Sequence, residues 1–136
     1  MGHRRHVERL IEKSAQDEYV LDRLLDDEAA PIEVFGFHAH QAAEKLLKAV
    51  LVAAGVEYPR THRVAELIDL LRAAGVVVPR TFDELRHLTP FAVKFRYDVT
   101  PETDETPLDK HSVHGLLLEV RRRAENTART LPDHPP

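Results

Sequence analysis

Phe37-His38-Ala39-His40-Gln41-Ala42-Ala43-Glu44-Lys45-Leu46-Leu47-Lys48-Ala49 reads as one helix with two unlike sides. At ~100° per residue, His38, Gln41, Glu44, Lys45 and Lys48 fall in one arc of roughly 120°. Phe35, Ala39, Ala42, Ala43, Leu46, Val50 and Ala53 fall on the opposite side, the one expected to meet a core. The polar arc also admits Val34, Phe37 and Val52 near the helix ends. A freely solvated face has no need of them, so the arc is expected to border a cleft or a second subunit rather than bulk water. Glu44 and Lys48 also have the spacing of an ordinary i,i+4 ion pair. His38 and His40 point about 200° apart and cannot grip one metal ion from the same helix.

Helical patterning extends outward from this segment. Val7, Leu10, Ile11, Ala15, Leu21, Leu24 and Leu25 recur at helical spacing in a first helix that fades at Asp26-Asp27-Glu28. Pro31 can open the second helix, where its missing N–H costs nothing, and Gly55 is a natural stop. Thr61 is placed to cap a third helix carrying Val64, Leu67, Ile68 and Leu71, which ends near Gly75. Thr81-Phe82-Asp83-Glu84 has the capping-box pattern, and Thr89-Pro90 predicts a fresh cap. Residues 99–105 read as an acidic, proline-bearing loop. Thr106-Pro107-Leu108-Asp109 starts a last helix with Val113, Leu116, Leu117, Val120, Ala124 and Ala128 on its apolar side. The expectation is an all-α fold, an antiparallel up-and-down bundle of about five helices joined by short loops. Residues 1–131 form one domain in this reading, and 132–136, rich in proline, a frayed tail.

Composition narrows the function. The chain has 136 residues, 43% of them hydrophobic and 6% aromatic, and a net charge of −4. Contact with nucleic acid would therefore come from local arginine clusters and not from the overall field. There is no cysteine, which excludes disulfides and thiolate metal sites. The first residues lead into a charged helix, not an apolar signal core, and no apolar run approaches the ~20 residues that span a bilayer. A cytoplasmic protein without membrane contact, metal or cofactor is expected.

Three words in order carry a family resemblance. Gln41-Ala42-Ala43-Glu44-Lys45-Leu46-Leu47-Lys48-Ala49 resembles the Gln-Ala-x-Glu-Lys-x-x-Lys-Ala pattern of HEPN domains. Thr61-His62 is similar to the family's Thr-His before its third helix, and Leu88-Thr89-Pro90-Phe91-Ala92-Val93-Lys94-Phe95-Arg96-Tyr97-Asp98 to its Arg-Tyr-Pro or Arg-Tyr-Asp ending of the fourth. The resemblance implies a helical bundle that dimerises and acts with a minimal nucleotidyltransferase in a toxin–antitoxin-like system. It implies a nucleotide or RNA ligand, held in a polar site of Gln41, Lys45, His62, Arg96 and Tyr97. Lys45 and Arg96 would hold phosphate, Tyr97 would stack or hydrogen-bond, and Gln41 would orient them.

Some members of the family are metal-independent ribonucleases built on an Arg-x(4–6)-His motif. Arginine there binds the scissile phosphate and histidine moves protons at the ribose hydroxyl. After Arg96, the positions where histidine should stand hold Pro101, Glu102 and Thr103. Arg80 with His87 and Arg129 with His134 have the spacing, but such matches arise by chance in a chain with nine histidines. Two alternatives therefore stand beside the binding module. One is a ribonuclease with Arg96 and a non-standard histidine, and the other a purely structural dimerisation module. His111 and His114, at i,i+3, read as exposed surface, and Arg121-Arg122-Arg123 fan around the last helix.

Overall fold

A computed structural model describes residues 3–92 and 108–132. Helix α1 spans His3–Leu24, α2 Ile32–Ala53 and α3 Val64–Ala73; a 3₁₀ segment, η1, covers Arg80–Leu88, and α4 covers Lys110–Thr130. No strand occurs among the described residues. The all-α expectation holds.

Helix α2 sits at the centre and packs on α1, α3, α4 and η1. Its alanines explain why it can: Ala39, Ala42, Ala43 and Ala49 are buried and let neighbouring helices approach closely, while Phe35, Leu46, Leu47 and Leu51 fill the space between. Each fully buried leucine or phenylalanine contributes about 2 kcal/mol. Gly36 takes closeness to its limit. A Cβ there would lie 2.4 Å from the ring of Phe91, itself fully buried, so only glycine fits under that ring.

Helices α1 and α2 run antiparallel, as do α1 and α4. The C-terminal turn of α1 receives Lys110, whose ammonium donates to the Leu24 and Asp27 carbonyls at 2.9 and 3.1 Å. A cation there satisfies carbonyls that the helix leaves unpaired and complements its dipole. Farther along, His114 meets Asp22, His111 meets Asp26 and Arg121 meets Glu18. His111 is exposed, as expected, whereas the half-buried His114 stitches α4 to α1, and Arg121 leaves the fan to do the same.

The helix ends follow the sequence in part. Gly55 and Gly75 both adopt positive φ, at 78° and 85°, as helix stops require of glycine. Asp109 caps α4 by accepting the Ser112 N–H. Pro31 stands one residue ahead of its expected place, as the N-cap of α2. Two expected caps are corrected. Thr61 does not cap α3; Arg63 is the N-cap, and the Thr61 hydroxyl accepts the Arg63 N–H within the preceding loop. The Thr81 capping box does not form. Pro79 precedes η1 without a side-chain cap, and Asp83 is drawn sideways to Arg72 and Arg86. Phe82, Leu85 and Leu88 are buried at a spacing of three, the period of a 3₁₀ turn. Thr89 is itself helical and leads without a break into 89–92, so it is not a fresh cap.

Candidate functional site: the open strip of α2

The polar arc of α2 meets α1 on one side and the loop that precedes α3 on the other. Two buried acids, one from α1 and one from α2 itself, organise it. Asp17, buried on α1, accepts from Lys45 Nζ at 2.7 Å through Oδ2 and meets His38 Nδ1 at 2.9 Å through Oδ1. Glu44, buried on α2, accepts from Lys48 Nζ at 2.7 Å and meets His62 Nδ1 at 3.0 Å, both through Oε2. The sequence-based arc is therefore real, and the surface it borders is in part the chain's own α1 and α2–α3 loop.

The Glu44–Lys48 pair is the expected i,i+4 bridge, but it is not solvated: only 13% of the Lys48 side chain and 9% of the Glu44 side chain are exposed. Lys48 also lies over the Tyr58 ring, 5.0 Å from its centroid. Burial pushes the Glu44 carboxyl up, but the hydrogen bonds from Lys48 and His62 outweigh it and hold the group below its ordinary value. One atom of this cluster stays unserved. Glu44 Oε1 is buried without a hydrogen-bond partner among the described residues, as are both ring nitrogens of His40. His40 Nδ1 stands 4.0 Å from that oxygen, beyond hydrogen-bond reach. Burial lowers the His40 pKa and prevails over the Glu44 charge, so the ring is held neutral.

His62 is the opposite of His40. Its side chain is 72% exposed. The loop that carries it is fixed on both flanks: the Thr61 N–H donates to the Pro59 carbonyl at 2.8 Å, and Thr61, buried, takes the Arg63 N–H. Arg60 and Arg63 flank it, both exposed and without an ion pair among the described residues.

Of the residues expected to form the polar site, Lys45 and His62 lie on this strip, each tied to a different acid, and Gln41 sits half-buried about one turn earlier on α2. Lys45 is therefore not an unpaired cation: Asp17 already neutralises it. Arg96 and Tyr97 lie outside the described residues, as do the loop 99–105, the Thr106-Pro107 helix start and His134. Sequence reasoning missed Asp17 and the buried state of His40. One signal for Asp17 was present. Ser14 and Asp17 interrupt the apolar stripe of α1 between Ile11 and Leu21, and both are buried. A polar residue inside an apolar stripe needs a partner across the interface. A separate cavity of about 760 Å³ lies between η1 and α4, lined among others by His87, Leu88, Val113 and Leu116. It does not include the α2 strip.

No helix among the described residues is long and apolar enough to cross a membrane. No curated protein and no solved structure matches the chain significantly. The HEPN domain model, by contrast, matches residues 7–127, from the first buried residue of α1 into the last turns of α4. With nearly the whole bundle inside that match, the chain belongs to the HEPN domain family.

Proposed function

We propose that this protein is a nucleotide- or RNA-binding module that works as a homodimer beside a minimal nucleotidyltransferase, in a system of toxin–antitoxin type. Family membership supports a nucleotide- or RNA-related role in general, and domains of this family often dimerise. The observation that carries the reading is the strip itself. Gln41, Lys45 and His62 open on one side of α2, and buried Asp17 and Glu44 hold the lysine and the histidine in place. A site whose polar groups are fixed before the ligand arrives loses less entropy on binding.

In this reading Gln41, Lys45 and His62 contact the ligand together with Arg96 and Tyr97. Lys45 has three donors and spends one on Asp17, so two remain for phosphate oxygens. Arg96 supplies a second cation for the phosphate and Tyr97 a stacking face. Val34 and Phe37, half-buried at the strip's edge, give the second subunit an apolar rim.

Fluorescence anisotropy with labelled RNA and with nucleotides tests the binding reading. Arg96→Ala is expected to weaken binding about tenfold, the loss of one charge-assisted contact. Its urea midpoint should not move. Unchanged binding in Arg96→Ala counts against the site. Sedimentation of the purified chain reads the dimer, and co-purification with the product of an adjacent nucleotidyltransferase gene reads the partner.

A further inference from the structure

We infer that the seam between η1 and α4 is a docking groove for an amphipathic helix of a partner protein, acidic in its first turns and basic in its last. The inference goes beyond the nucleotide or RNA reading, and the groove shares no residue with the α2 strip.

Two hollows make the groove. The cavity of about 760 Å³ runs from Leu108 to Glu119 on the α4 side, opposite the later turns of η1. A second hollow, of about 410 Å³, starts at the same Glu119 and continues to Thr127, opposite Pro79 and Phe82 at the start of η1. Glu119 lines both, so the two join end to end along α4. At ~1.5 Å per residue, the helical part of that path is about 26 Å long, or about five helical turns. The floor is apolar: Phe82, Leu88 and Leu116 are buried, and Leu108 and Val113 half-buried.

The rim is charged, and its sign changes along the groove. Glu84 and Glu119 line the first hollow, and no lysine or arginine among the described residues joins them there. Arg122 and Arg123 line the second. None of these four side chains makes a hydrogen bond or an ion pair among the described residues. Their neighbours Asp83, Arg121 and Glu125, by contrast, are all paired within the chain. The bundle thus leaves two acids and two arginines unused, sorted to opposite ends of one apolar channel.

Shape and charge together select the occupant. No strand edge among the described residues flanks the channel, so an incoming segment finds no backbone to pair with. It must satisfy its own N–H and C=O groups, as a helix does. A second copy that met the seam about a two-fold axis would set hollow against hollow and leave both unfilled. A helix with apolar residues at i, i+3, i+4 and i+7 fills the floor. Its basic turns face Glu84 and Glu119, and its acidic turns face Arg122 and Arg123. Helices favour acids in the first turn and bases in the last, so this partner runs antiparallel to α4.

The experiment titrates the full chain into a fluorescein-labelled peptide of about 18 residues. The peptide has leucines at helical spacing, glutamates in its first two turns and lysines in its last two. A second peptide exchanges the glutamates and lysines. Anisotropy is expected to show saturating binding of the first and about tenfold weaker binding of the second. Glu84→Lys with Glu119→Lys should weaken the first peptide by a similar factor. Adding Arg122→Glu and Arg123→Glu should invert the preference, so that the second peptide binds better. An unchanged urea midpoint checks that these surface variants fold. No saturation by the first peptide, or equal binding of the two, overturns the inference. Displacement of the first peptide by an RNA oligonucleotide would give the arginines to nucleic acid and also overturn it. A wild-type dimer that Glu84→Lys with Glu119→Lys converts to monomer in sedimentation would put a second copy in the groove, and the inference would fail.

Discussion

Glu44 and Asp83 are both carboxylates held below their ordinary pKa by two partners, yet they sit in opposite surroundings. Glu44 is nine-tenths buried on the central helix, between Lys48 and His62. Asp83 is one-third exposed on η1, and takes Arg72 through both oxygens at 2.9 and 3.1 Å and Arg86 at 2.9 Å. At Asp83 the arginine hydrogen bonds meet little opposition and bring the carboxyl down to about 2. At Glu44 the partners must first overcome burial, which pushes the other way. The same chemistry thus has two meanings. The exposed cluster joins α3 to η1 at little cost and little gain, whereas in the buried cluster each partner is required by the others.

The sharpest way to break that contrast is Lys48→Ala. It leaves Glu44 buried with His62 alone and strips the cation from Tyr58. Breaking a buried pair from one side typically costs about 3 kcal/mol, because the remaining charge stays desolvated. Urea denaturation should show a loss of that size, and Lys48→Ala combined with Glu44→Gln should recover part of it. A loss below about 0.5 kcal/mol would place Glu44 with the ordinary surface pairs.

How far these clusters were legible in the sequence depends on whether their cause is local. The helix around Gln41 and Lys48, its stop at Gly55 and the i,i+4 geometry of Glu44 with Lys48 follow from periodicity and backbone preference, so sequence reasoning reached them. His62 was reached through a short word shared with a family. Asp17 with Lys45 was not, because that pairing depends on how α1 slides along α2, and nothing near Lys45 in the chain reports the register. The Thr81 capping box failed for a related reason. Its motif is locally sound, but Arg72 and Arg86 compete for Asp83 and the following turns tighten to a 3₁₀ form. Gly36 gave no warning either. Its necessity comes from Phe91, which reaches it only after the chain has folded.

His40 separates the two clusters in a different way, through pH. Its pKa is below the ordinary 6.5 in the folded state, so the unfolded chain binds the proton more readily. Its contribution is fully present above pH 6.5 and erodes as pH falls below that value. Glu44, also depressed, adds a second loss below its ordinary 4.5, and Asp83 a third that runs down to about pH 2. His40→Leu should remove only the first of these. It should also change stability by no more than about 1 kcal/mol at pH 7.5, because the two buried nitrogens it deletes make no hydrogen bond of good geometry, although the Gln41 side chain and the His62 backbone lie near the ring. The measurement is urea stability of both proteins from pH 7.5 to 5: the wild type should lose stability relative to the variant across that interval. Parallel curves would mean that His40 keeps the same affinity for protons in both states.

The smallest effect belongs to the exposed cluster, and it sharpens the comparison by being small. Arg72→Ala removes the two-oxygen contact with Asp83 and two longer contacts to the Val78 and Pro79 carbonyls at 3.3 Å. All of these are at the surface, and Asp83 keeps Arg86 at 2.9 Å. Two long side chains held in one geometry in water gain little net free energy, so the expected cost is about 0.5 kcal/mol. Because the cluster is open to solvent, 1 M salt should shrink that cost further, since charges are then screened within about 3 Å. The Lys48→Ala loss should persist at the same salt concentration, because ions do not enter the space around Glu44. If salt diminished both losses equally, the difference in burial between Glu44 and Asp83 would not govern their energetics, and the two clusters would be one kind of contact.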